Sequence, residues 1–138
     1  DRGVGVGRTS EWAGYVDSHI GGEDSHVLVG TMIENTRAVE NIEEICAVPR
    51  LGFAFIGPAD LSMSMSDGEP LDKHPEQLQA AIDRTREACL EADVPVGRIH
   101  NDPADARQAV DDGVQLVRLG GDTGAIRSVL GDRLAAVD

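Results

Sequence analysis

Two acidic residues stand where an α/β protein does its chemistry. Residues 53–56, Phe-Ala-Phe-Ile, form a short apolar run that stops at Gly57-Pro58, and Asp60 follows. Residues 26–33 form a second, mostly apolar run, and Glu34 comes directly after it. Apolar runs of this length bounded by Gly and Pro read as buried strands. The loop past the C-terminal end of such a strand is where α/β proteins bind ligands. Two strands that each end in an acid place Glu34 and Asp60 on one rim. Two carboxylates with hard oxygen donors suit Mg²⁺ or Mn²⁺, which keep positions open for water and substrate. His100-Asn101 and Asp122 fall at the ends of two later runs and are further rim candidates. The competing reading is structural, each acid capping the helix after its strand, as Asn35 and Asp122 are placed to do. It fits Asp60 poorly, because no helix is expected before Pro75, and it leaves Glu34 open between the two roles. His19, His26, His74 and His100 show no ligand spacing.

The elements that must hold this rim follow a strand–helix rhythm. Strands are expected over 27–33, 53–56, 94–99 and 114–119. Helices are expected over 36–47, 75–92, 103–113 and 123–136, each with an apolar stripe such as Leu78, Ala81, Ile82, Thr85 and Cys89. Pro75 suits a first helical position, and Asp102 suits a cap. A polar loop is expected between Asp60 and Pro75. A further helix over 10–20, capped by Ser10, precedes the first strand. Residues 1–8, rich in Gly, form a loop without the spacing of a dinucleotide fingerprint. Near-continuous apolar strands alternating with amphipathic helices mean an α/β fold of parallel βα units. An eight-fold barrel usually needs about 250 residues. With 138 residues, no strand before the first helix and no initiating Met, the expectation is one domain, 1–138, forming the C-terminal half of a (β/α)₈ TIM barrel. The alternative is a small open doubly wound sheet.

Composition narrows the partners. The formal net charge is −13, which argues against nucleic acid. Lys73 is the only lysine while Arg and Asp are abundant, a pattern that points to a halophilic protein in a salty cytoplasm. No apolar run is long enough to span a membrane and no signal peptide is visible, so a cytoplasmic location is expected. Cys46 and Cys89 fall on helix faces and read as reduced core thiols rather than a disulfide. Lys73 lies in a solvated loop, DGEPLDKHPE, so carbonyl chemistry here would use a metal rather than an imine.

Ile33-Glu34-Asn35, together with Phe55-Ile56-Gly57-Pro58-Ala59-Asp60-Leu61-Ser62, resembles the metal-dependent (class II) pyruvate aldolases. That is the 4-hydroxy-2-oxoheptanedioate and 2-dehydro-3-deoxyglucarate aldolase family, related to the citrate lyase β subunit. Arg2-Gly3-Val4-Gly5 is similar to its Arg-Gly loop, and Gly120-Gly121-Asp122-Thr123 to its last strand end. The resemblance implies a lyase that makes or breaks a carbon–carbon bond between a 2-oxo acid and an aldehyde. It implies that Glu34 and Asp60 hold a divalent metal (Mg²⁺, Mn²⁺ or Co²⁺), that the backbone N–H groups of Ala59 and Asp60 hold the substrate carboxylate, and that the chains assemble as a homo-oligomer, a hexamer. Met32 stands where many members carry Gln. The family's catalytic arginine and histidine–aspartate pair would lie in a first half that this sequence lacks. Two other expectations compete with the aldolase: a citrate-lyase-β-type acyl-CoA lyase, and a truncated barrel that is catalytically inert.

Overall fold

The computed structural model describes residues 27–66 and 75–137. The expected helix over 10–20, the loop 1–8, His19, His26, Lys73 and His74 lie outside the described residues. In order come β1 (Val29–Ile33), α1 (Thr36–Glu40), α2 (Ile42–Cys46), β2 (Leu51–Ile56), α3 (Pro58–Met65), α4 (Pro75–Glu91), β3 (Val96–His100), α5 (Pro103–Asp111), β4 (Leu116–Leu119) and α6 (Asp122–Ala135).

The four strands form one parallel sheet in the order β1-β2-β3-β4. Each strand lies beside its predecessor in sequence. A doubly wound sheet reverses its order at a switch point, and no reversal occurs here, so that alternative does not hold. Register assigns the faces. Ile33 pairs with Ile56, and Ala54 with Val96, and all four are buried in one core with Val39, Ile42, Cys46, Ile82 and Cys89 from the helices. On the opposite face Gly30 pairs with Phe53, and Phe55 with Gly97. The Phe53 ring lies over Gly30, and a Cβ at Gly97 would come within 2.6 Å of Phe55 Cδ2. The two glycines leave the space that the two rings occupy.

That second face is only half covered. Phe53 and Phe55 are half-buried, and Met32 and Leu116 are exposed. Among the described residues β1 and β4 each have a single neighbouring strand. Helix α6 buries none of its side chains, leaving Ile126, Val129, Leu130 and Leu134 in solvent.

Three local expectations change. The single helix over 36–47 is broken into α1 and α2 at Asn41, whose side chain and backbone N–H both donate to Arg37 O, at 2.9 and 3.1 Å. A side-chain amide competing for a helical carbonyl is the reason for the break. Strand β2 starts two residues earlier than expected, because the chain turns at Arg50, where φ is +67°. The stretch after Asp60 is not all loop, since residues 58–65 form α3. Pro58 supplies a preset φ at its first position, Asp60 favours its first turn, and Leu61 and Met65 pack one turn apart against the core. Ser66 at its end donates from Oγ to Ser62 O at 2.8 Å.

Candidate active site

Adjacent parallel strands bring the Glu34 and Asp60 segments together. Gly57 N–H donates to Ile33 O at 3.0 Å, carrying the β1–β2 ladder one step past the strands. Glu34 then stands directly beside Gly57: a Cβ built on Gly57 would lie 3.3 Å from Glu34 Cβ and 3.6 Å from its Oε2. The first residue of α1 is tied to α3 by Thr36 N–H donating to Ser64 Oγ at 3.2 Å. Capping of α1 falls to Asn35, whose Oδ1 accepts from Ala38 N–H at 2.9 Å. Glu34 is therefore not needed as a cap, and its carboxylate is left at the rim.

Helix α3 presents backbone donors at its N-terminus. Its first i→i−4 bond is Leu61 N–H to Gly57 O, at 2.9 Å. Ala59 and Asp60 precede that bond, so their N–H groups have no intrahelical acceptor, and Gly57 offers no side-chain cap. Two N–H donors at a helix N-terminus bind a carboxylate or phosphate oxygen. Asp60 itself sits in this first turn, so a purely helix-stabilising part for its carboxylate, discounted from sequence, is available after all. Among the described residues no group of three or more His, Cys, Asp and Glu side chains converges as a metal cage. Mg²⁺ is commonly held by one or two carboxylates with water completing the shell, and Glu34 and Asp60 are donors of that chemical kind.

The other rim candidates go elsewhere. His100 ends β3 but shares its side of the sheet with Arg98, two residues earlier, and that side faces α4 and α5. It is 7 % exposed and lines a cavity of about 310 Å³ with Gln79, Arg98, Asp105, Gln108 and Asp112. Among the described residues His100 Nε2 and Arg98 Nε have no hydrogen-bond partner. Burial holds the His100 imidazole below its ordinary value, Arg98 adds to this, and Asp105 opposes it. Asp122 is not a cap, since Gly121 holds that position. It opens α6 and accepts from Thr123 N–H at 2.7 Å. It follows β4, which β3 separates from β2. Arg98 escaped the reading of the sequence. Its signal was the spacing in Arg98-Ile99-His100, which puts two nitrogen-bearing side chains on one face of a strand.

The sequence profile of the HpcH/HpaI aldolase/citrate lyase family matches residues 8–128. The chain belongs to this family. Within the HpcH/HpaI family it is 38 % identical over 124 residues to a hydroxypyruvate/pyruvate aldolase of Cupriavidus necator, covering 88 % of this chain and 45 % of the relative. It is 32 % identical over 133 residues to a 2-keto-3-deoxy-L-rhamnonate aldolase of Klebsiella pneumoniae, covering 96 % and 49 %. A solved HpcH/HpaI structure from Burkholderia cenocepacia superposes with a TM-score of 0.83 at 28 % identity, over 99 % of this chain and 52 % of that one. The citrate synthase SbnG superposes at 0.74 with 28 % identity, over 83 % and 46 %. The chain spans about half the length of the relatives it matches.

Proposed function

We propose that this chain carries the metal- and carboxylate-binding part of a class II aldolase acting on a 2-oxo acid and an aldehyde, as the C-terminal half of its (β/α)₈ barrel. The observation that carries the reading is the Glu34 carboxylate beside Gly57, next to the N–H groups of Ala59 and Asp60, which precede the first intrahelical bond. Those two donors would seat the substrate carboxylate. Glu34 and Asp60 would hold a divalent ion, which when bound polarises the 2-oxo group and offsets charge that develops on its oxygen as the carbon–carbon bond breaks. Met32 and Phe55, on the uncovered face, would form an apolar floor that limits water. Aldolase names among the relatives favour a pyruvate-type substrate over an acyl-CoA. The net charge of −13 also opposes the phosphates of coenzyme A.

By the same reading the protein is a cytoplasmic homo-oligomer, a hexamer by resemblance, and this chain alone does not turn over. Calorimetric titration of the chain with Mn²⁺ tests the site. Glu34→Gln and Asp60→Asn are each expected to weaken binding by at least roughly tenfold. Unchanged affinity in both variants would remove the site. Aldol cleavage by the verified 138-residue chain would overturn the expectation of inactivity.

A further inference from the structure

Cys46 is the last residue of α2, and Cys89 lies near the end of α4. Their sulfurs are 3.7 Å apart although the residues are 43 positions apart in the chain. Both are free thiols, 8 % and 0 % exposed. We propose that this pair is a reversible disulfide site that staples α2 to α4 under oxidation by a hydroperoxide.

A bond requires the sulfurs to close to about 2.05 Å. The remaining movement is small, and Cys46 ends a one-turn helix followed by the exposed residues Ala47 to Arg50, so its side has room to give. Direction follows from burial. The Cys89 thiol is pushed up to about 12, by burial first and by Cys46 second, so it stays protonated and does not start the reaction. Cys46 keeps the only solvent contact of the two and meets the oxidant first. Its sulfur attacks the O–O bond and becomes a sulfenic acid, releasing the alcohol of an organic hydroperoxide, or water from hydrogen peroxide. The Cys89 sulfur then displaces the sulfenic oxygen, which leaves as water with the Cys89 proton. Two electrons pass from two thiols to one peroxide. The loop that this closes contains β2, α3 and the segment 57–60. Cross-linking a loop of that length restricts the unfolded chain, so the oxidised form is more resistant to heat.

The test treats the full chain with hydrogen peroxide, alkylates it in denaturant and maps its peptides without reductant. The expected result is a cross-linked peptide joining Cys46 to Cys89 in monomeric protein, lost on adding dithiothreitol, with a melting midpoint about 10 °C higher before reduction. Cys46→Ala and Cys89→Ala, made separately so that one folded variant suffices, should each keep one alkylatable thiol and show no rise. Two alkylated cysteines after peroxide, a sulfinic Cys46 beside an untouched Cys89, cross-linked dimers, or a disulfide without a higher midpoint would each overturn the proposal.

Discussion

Gly57 shows how one missing methyl group positions a charged one. Its φ of −101° is open to any residue, so the need for glycine comes from space. A Cβ there would sit 3.3 Å from Glu34 Cβ and 3.4 Å from Met32 Cε. Gly57→Ala is therefore expected to push the Glu34 side chain aside and weaken Mn²⁺ binding about tenfold, with a melting midpoint close to that of the parent. Titration calorimetry and a thermal melt separate the two effects. His100 gives a second expectation. Its folded-state value is lowered by burial from the ordinary 6.5, with Arg98 adding and Asp105 opposing. The unfolded chain then takes up a proton at a higher pH than the folded one. Stability from the neutral imidazole is complete above about 6.5 and falls as pH drops from there toward the folded value. The difference in melting midpoint between the parent and His100→Asn, followed from pH 8 to 5, should change sign or shrink across that window. A constant difference would show that His100 does not titrate there.

The elements differ in how plainly the sequence announces them. The strands fall within mostly apolar runs bounded by Gly and Pro, and all four were legible for that reason. Helices α4 and α5 carry regular stripes, with Pro at their first positions. Helix α3 was hidden because Ser62 and Ser64 break up its second half, and its periodic signal is Leu61 with Met65. The placement of Glu34 just past β1 was legible as a strand end, whereas Asp60 lies in α3, which was not foreseen. His100 was misplaced for a related reason: strand ends show in sequence, whereas the face a side chain takes depends on register with a neighbour. Leu61 is 0 % exposed and anchors α3 to the core. Leu61→Ala should cost about 2–4 kcal/mol, measured by urea unfolding, and should loosen the N–H pair of Ala59 and Asp60 along with it. A cost below about 1 kcal/mol, the scale of a surface substitution, would mean that α3 is held by other contacts.

At the scale of the molecule, charge and the half-covered sheet face dominate. With −13 net charge on 138 residues, self-repulsion is long-ranged in dilute buffer, where the Debye length is about 30 Å, and nearly abolished at 1 M salt, where it is about 3 Å. The melting midpoint is expected to rise from dilute buffer to molar KCl. A flat profile would count against the halophilic reading. The uncovered sheet face, with exposed Met32 and Leu116, and the unburied apolar side chains of α6 are what a half-barrel would present to its complement.

The strand order has a consequence for how such a chain is made. Among the described strands β2, β3 and β4 each pair with the one synthesised just before, so each of these pairings needs only chain that has already left the ribosome. Loop closure at each step spans one strand–helix unit, never the whole chain, and its entropic cost stays small. Such an order lets β2, β3 and β4 be added to the sheet in step with translation. Until the following strand emerges, the edge waiting to be extended is an open ladder of N–H and C=O groups, and that interval is when the nascent protein is most prone to pair with a stranger.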